Sequence, residues 1–447
     1  MVNHLSHVEI KKSTLYGWGK INSHKSQIYY PKDINELKEI IKIPNKEFIV
    51  RGMGRSYGDS SINDNVISLE KMKKLIDFDK KNQLIYCSSN ITYKELNKLL
   101  IKQKYFPIVT PGSQYVTVGG AVASDIHGKN HHIDGSFCEH VVNIDILNSD
   151  LNIIKCSKEE NKEYFYATNG GMGLTGVILN VCFKVMKVKN DIIDEEIYKS
   201  YNLDETINLL NKKNKSKYVV AWLDSTASYK NVGRGIIYIG RHATDNNYKI
   251  NYSKYKLKIN FNFPNFFFNN YLIRILNFLY FNTKPRYKTR KVFYEKYFYP
   301  LDNILNWNKI YGKRGFYQFQ LIIPKLDAKN NLKKIFILLK NYKYCSFVTT
   351  LKLLGPRNKN YLSFPMEGYT LTFDLQNSKE LAKLQLNLEN ILKEINGKIY
   401  LTKDNLMTKD FFHKTYYDEI KKLRKIINNK KNKYKFNSLQ SKRLGIL

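Results

Sequence analysis

The stretch "TPGSQYVTVGGAVASDIHGKNHHIDGS", Thr110 to Ser136, carries five glycines and three histidines among small side chains. Gly119 and Gly120 precede Ala121, Ala123 and Ser124, which leaves room for a flat or phosphorylated ligand against the backbone. His127, His131 and His132 have no thiol or acidic partner at metal-ligand spacing, so the segment does not read as a metal site. Two further loops repeat the theme. "RGMGRSYGD", Arg51 to Asp59, follows a strand signal and places Gly52, Gly54 and Gly58 where backbone N–H groups can approach a phosphate. "TNGGMGLTGVI", Thr168 to Ile178, runs into another strand. The spacing G-x-G-x-x-x-G with no helix behind it differs from the dinucleotide fingerprint, which disfavours a nicotinamide fold.

Working outward, 447 residues suit two or three domains, and 43% hydrophobic residues suffice for a sizeable core. Five scattered cysteines without a C-x-x-C fit a reducing compartment. The N-terminus has no apolar h-region, and "FNFPNFFFNNYLIRILNFLYFN" (261–282) is broken by Pro264, several Asn and Arg274. It falls short of the roughly 20 unbroken apolar residues of a membrane span. The expectation is a cytoplasmic chain with peripheral contact on the inner membrane.

The formal charge of +35 is diffuse, in keeping with a chain rich in Lys, Asn, Ile and Tyr throughout. A nucleic-acid-binding protein is disfavoured because no recognisable module accompanies the charge.

The first 185 or so residues alternate short strand and helix signals. "QIYYPKDINELKEIIK" reads as strand, turn and a helix opened near Asp33. "KLIDFDKKNQLIYCSS" and "HVVNIDILNSDLNIIKCS" read as hairpins, "TYKELNKLLIKQ" as a helix, and "YFPIVTPGS" as a strand ending in a Pro-Gly turn. From about Asp191 strand candidates "KYVVAWLD", "RGIIYIGR", "YQFQLIIP" and "GYTLTFDL" lie between longer helical stretches. Residues 250–295 form an aromatic-basic insertion, and "IKKLRKIINNKKNKYKF" reads as a basic helix and exit.

The three glycine loops, in this order and spacing, resemble the flavin-binding domain of vanillyl-alcohol-oxidase-type oxidoreductases. Within that superfamily they are similar to the decaprenylphosphoryl-ribose 2′-oxidase family. The likeness continues in "FYPLD" (298–302), "WNKIYG" (307–312), "YQFQLIIP" (317–324), "LKLLGP" (351–356), "LSFPMEGYTLTFD" (362–374) and "IYLTKD" (399–404). "DIHGKNHH" is its most distinctive part.

The resemblance implies an α+β flavoprotein of two domains. An FAD-binding α+β domain would span 1–190. A substrate domain built on an antiparallel sheet flanked by helices would span 191–398, with the segment 399–447 returning to the flavin site. By motif match Arg51, Gly52, Met53, Gly54, Arg55, Ser56, Tyr57, Gly58 and Asp59 would contact FAD. Gly112, Thr117, Val118, Gly119, Gly120, Ser124, Asp125, Ile126, His127, Val177 and Tyr400 would join them. His127 lies where some relatives attach flavin covalently; non-covalent binding is expected here.

Lys403 matches the family's active-site lysine, a base if burial lowers its pKa, and Tyr57 matches a second active-site position. Lys129, Gln318, Gln320, Lys352, Thr370 and Thr372 would bind the substrate. At Thr372 some members carry a cysteine. No metal is expected.

The implied reaction is FAD-dependent oxidation of a sugar hydroxyl on a polyprenyl-phosphate carrier, at C2 of ribose. It is the first half of an epimerisation completed by a short-chain keto-sugar reductase. The rival within the superfamily is an oxidase of a free sugar alcohol or aldonolactone. The insertion at 250–295 reads as a membrane-surface element, a lid or a buried satellite helix.

Overall fold

Alternating side chains and well-formed caps set the elements, which a computed structural model describes for residues 7–245, 256–427 and 435–447. Residues 250–255 of the insertion and 428–434 of the basic tail lie outside the described residues.

The first sheet holds β1 (Glu9–Leu15), β2 (His24–Tyr30), β3 (Phe48–Val50) and β4 (Asn65–Ile67), in the order β1-β2-β4-β3. Between β2 and β3 the helix Ile34–Lys42 starts where the Asp33 carboxylate accepts the backbone N–H groups of Asn35 and Glu36. It buries Leu37, Ile40 and Ile41 against Tyr29, Phe48 and Ile67.

The second sheet is antiparallel. It contains β5 (Ile76–Asp79), β6 (Leu84–Ser88), β7 (Tyr105–Pro107), β8 (Val141–Leu147), β9 (Ile153–Ser157) and β10 (Val177–Lys187). Its order is β5-β6-β10-β8-β9, with β7 on the end of β10. Thr92 and Glu95 form a capping box that opens the helix Tyr93–Lys102. The predicted strand "YFPIVTPGS" contracts to three residues.

The glycine-rich stretch differs from an open loop. Val118–Ala123 is a short helix capped by Thr117, whose hydroxyl accepts the N–H of Gly120. Backbone bonds from Val118 to Ile91 and from Gly119 to Ser89 hold it to the second sheet.

A larger antiparallel sheet follows, from β11 (Ile192–Ser200), β12 (Tyr218–Leu223) and β13 (Gly235–His242) onward. A short β14 (Leu257–Lys258) precedes β15 (Tyr287–Phe293), and β16 (Ile304–Leu305) precedes β17 (Phe316–Pro324), β18 (Thr349–Leu354), β19 (Gly368–Gln376) and β20 (Lys398–Ile399). The eight-stranded order is β15-β11-β13-β12-β18-β19-β17-β20, while β14 and β16 form a separate parallel ribbon. Phe319, Leu321 and Ile323 of β17 and Leu371 and Phe373 of β19 face one way. That face packs on the helices Ala328–Asn341 and Leu381–Glu394 through Leu332, Ile335, Leu384 and Leu388. The opposite face is polar and lines the cavity described below.

The C-terminal tail does not exit. Phe48 N–H donates to the Lys435 carbonyl and Asn437 N–H donates to the Phe48 carbonyl, so the chain rejoins the first sheet. Arg443 then donates to both oxygens of Asp59, at 3.1 and 3.0 Å, and to Asp404 at 2.8 Å. Asp59 and Asp404 are buried.

Removing Arg443 leaves two neighbouring carboxylates without a cation. Arg443→Met is expected to lower stability by about 3 kcal/mol at pH 8. The deficit should shrink at pH 5, where Asp59, its carboxyl raised by burial and no longer held down by Arg443, takes up a proton; urea melts at both pH values measure it.

Candidate active site

A cavity of about 760 Å³ runs between the glycine loops and the polar face of the large sheet. Its sheet wall is a register product. Gln318 and Gln320 on β17 stand opposite Asp374 and Thr372 on β19. Thr372 and Thr370 in turn stand opposite Thr350 and Lys352 on β18. Period-two alternation therefore puts one polar grid on one face. Gln320 donates its amide to His127 Nε2 (2.7 Å) and to the Thr370 hydroxyl (3.2 Å). With Nε2 accepting, the His127 proton sits on Nδ1.

Lys403 enters from a turn just after β20. Tyr400 N–H donates to the Gln320 carbonyl, and Lys403 N–H donates back to the Tyr400 carbonyl. The glycine loop docks on the same turn, because Tyr57 N–H donates to the Thr402 carbonyl. This brings the Lys403 amine over the Tyr57 ring, 3.8 Å from its centroid. Gln318 donates to the Asp374 carboxylate at 2.6 Å, with Tyr311 OH at 3.4 Å from its other oxygen.

Desolvation dominates the charges. Burial pulls the Lys403 amine down to about 7, against the pull of Asp374 and with the help of Lys352. Burial lowers Lys352 to about 8 and pushes Asp374 up to about 7, the latter offset in part by Gln318. Lys403 and Asp374 therefore titrate as a linked pair near neutrality. Burial, then the charge of Lys352, holds His127 well below its usual range, so the imidazole is neutral. Burial raises Tyr57 well above the ordinary phenol value and keeps it protonated.

The other end of the cavity is small-residue backbone and cation. A Cβ on Gly119 would fall 2.8 Å from Ser89 Cβ, and one on Gly52 would fall 2.5 Å from the Thr117 hydroxyl. Gly112 opens on free space. Arg55 lies over the Trp18 ring at 3.9 Å and near the Tyr115 ring at 5.2 Å. Its Nε, Asn90 Oδ1 and His127 Nδ1 are buried without partners.

The cavity wall gathers Arg51 to Tyr57, Gly112, Thr117, Gly119, Gly120, Ser124, Ile126, His127, Gln318, Gln320, Lys352, Thr372, Tyr400 and Lys403. Other expected residues lie outside it. Val118 and Val177 are packed in the apolar core. Asp125 is buried, accepting from Ser363, Asn358, Asn360 and Cys138 N–H. Asp59 is held by Arg443, and Gly58 sits where a Cβ would fall 1.8 Å from the Asp404 carbonyl oxygen. Lys129 donates to the Tyr297 carbonyl at 2.5 Å, and Thr370 is fully buried beneath Gln320. Thr350 joins the wall without having been expected there, and Asp374 lies buried behind it against Gln318, although strand alternation in "YTLTFD" and "TTLKLL" points to both. Trp18, Tyr115 and Asp302 carry no local signal. Among the described residues no group of three His, Cys, Asp or Glu is placed to hold a metal ion.

Residues 26–157 match an FAD binding domain family. Over 90% of its length the chain is 28% identical to a decaprenylphosphoryl-β-D-ribose oxidase of Mycolicibacterium smegmatis, covering 91% of that protein. It is also similar to an L-gulonolactone oxidase of Scyliorhinus torazame, 26% identical over 37% of this chain and 38% of the relative. A D-arabinono-1,4-lactone oxidase of Debaryomyces hansenii is 25% identical over 39% of this chain and 36% of the relative. The chain is an FAD-dependent oxidoreductase with a two-domain α+β fold, similar to decaprenylphosphoryl-ribose oxidase.

The residues present fit FAD. The volume is that of a ligand cleft, Gly52 and Gly119 have no room for even a methyl group, and unpaired donors and acceptors of Arg55, Asn90 and His127 lie along the walls.

Gly119→Val would push a side chain against Ser89. The variant is expected to purify with a native circular dichroism spectrum and about tenfold weaker flavin binding, ~1.4 kcal/mol, read from flavin absorbance during titration with FAD.

Proposed function

We propose that this oxidoreductase removes hydride from C2 of a ribose carried on a polyprenyl phosphate, as the first half of an epimerisation that a short-chain keto-sugar reductase completes. The observation that carries the reading is a buried, near-neutral Lys403 beside a second cation, in a chain similar over nine-tenths of its length to an oxidase of such a substrate.

The chain's residues divide the work. Arg51 to Tyr57, with the small residues Thr117, Gly119 and Gly120, would hold FAD close against their backbone. FAD, when bound, accepts the hydride. Neutral Lys403 takes the proton of the sugar hydroxyl, since a lysine below its pKa has no lone pair to offer. Tyr57 positions that amine from beneath; a phenol raised far above its ordinary pKa does not act as a base. Lys352 balances the anionic phosphate, and Gln318, Gln320 and Thr372 orient the sugar hydroxyls. Non-covalent FAD binding is part of this reading, supported by the contact that ties His127 Nε2 to Gln320.

Lys403→Met is expected to slow substrate-driven flavin bleaching roughly 10²- to 10⁴-fold while FAD stays bound. In the parent protein the bleaching rate should rise with pH through about 7, because the neutral amine is the active form. Unchanged bleaching in Lys403→Met, measured by stopped flow, would remove Lys403 as the base. Acid precipitation should release the flavin to the supernatant; flavin kept in the pellet would favour a free-sugar or aldonolactone oxidase linked at His127.

A further inference from the structure

The segment 256–294 forms an apolar, cationic surface beside the cavity. Its helix Asn270–Asn282 is seated inward by Ile273, Asn277 and Phe281. Asn277 donates to the Asp224 carboxylate and the Ser346 carbonyl, both at 3.1 Å. Phe281 joins a cluster with Ile197, Trp222 and Ile236. At helical spacing the opposite side presents Tyr271, Ile275, Phe278 and Leu279 to solvent, with Tyr271 74% and Phe278 58% exposed.

The patch continues beyond the helix. Phe266, just before it, is 76% exposed, and Phe261, Phe263 and Phe267 touch in sequence at 5.2 and 4.9 Å between ring centroids. Phe261 leads back to Leu257, which is exposed on the ribbon β14. Lys258 of β14 and Ile304 and Leu305 of β16 line the cavity. So many large apolar side chains in one stretch exceed the scattered exposure usual on a soluble surface.

Charge decides what covers this face. From 246 to 294 the sequence holds no Asp or Glu. Lys258, Arg274, Arg286 and Lys288 are exposed within it. Cations around an apolar face match an anionic lipid surface, where aromatic rings enter the headgroup region and cations meet phosphates. A second copy of this surface would instead set like charges against each other.

We propose that the helix Asn270–Asn282, with Phe261 and Phe266, is a docking surface for anionic lipid bilayers that turns the cavity mouth toward the membrane. The inference deepens the polyprenyl-phosphate reading, since a lipid-borne phosphate could then reach the cavity without leaving the bilayer, but the docking itself needs no particular sugar.

The test is co-sedimentation of full-length holoenzyme with phosphatidylglycerol–phosphatidylcholine vesicles and with pure phosphatidylcholine vesicles. Binding to the anionic vesicles, weakened by salt, is expected. The triple variant Phe266→Glu, Tyr271→Glu, Phe278→Glu should weaken it by about tenfold or more, and Arg286→Ser with Lys288→Ser severalfold. These positions are exposed, and flavin content and melting temperature should match the parent. Equal binding to both vesicle types, no binding, or unchanged binding by the triple variant would overturn the proposal. So would a dimer of the parent that the triple variant converts to monomer without parent vesicle binding. Intact docking in a protein that fails to oxidise a polyprenyl-phosphoryl ribose would leave the surface assigned and sink only the substrate reading.

Discussion

Two backbone hydrogen bonds hold the candidate active site together. One runs from Tyr400 to the Gln320 carbonyl, the other from Tyr57 to the Thr402 carbonyl. Through them a single turn joins the edge of the large sheet to the loop after β3. The polar grid on β17 to β19 supplies a wall and the glycine loops supply a cleft. Only the turn sets Lys403 above Tyr57, with both facing the space between. Neither bond involves a side chain, so the placement of the lysine is a property of the fold and not of its immediate neighbours.

That placement explains the chemistry more than any residue type does. Lysine in water is a cation near pH 7 and a poor base. Here burial is the leading cause of its lowered pKa, and Asp374 and Lys352 adjust it in opposite directions. Burial acts on Asp374 the other way, and the two meet near neutrality. Burial thus favours the neutral form of each, which leaves the Lys403 amine the lone pair a base needs.

Much of the scaffold is legible in the amino-acid sequence. The carboxylate of Asp33, the Thr92–Glu95 box and the hairpins at 76–88 and 141–157 rest on local rules, and all of them form. The alternation in "YQFQLIIP" and "GYTLTFDL" carries the two-faced sheet. The glycines are legible as glycines but not by reason: Gly119 faces the cleft, whereas Gly58 yields to the Asp404 carbonyl, which arrives from more than three hundred residues away. Asp59 misleads for the same cause, since its partner Arg443 is far along the chain. Lys129 and Lys403 look alike in sequence. Burial lowers both amines to about 7; what separates them is placement, one against the Tyr297 carbonyl and one at the cavity, and placement by distant chain has no local signature.

The bond between Arg443 and Asp59 spans 384 positions of sequence, and that between Arg443 and Asp404 spans 39. During synthesis the three sheets can condense as they emerge, each from nearly contiguous chain. The clasp cannot: the glycine loop must wait, with Asp59 uncompensated, until residues beyond 435 have left the ribosome. Support for the glycine loop therefore waits on Arg443, and a nascent chain stalled short of it would hold its sheets but leave Asp59 and Asp404 without their cation.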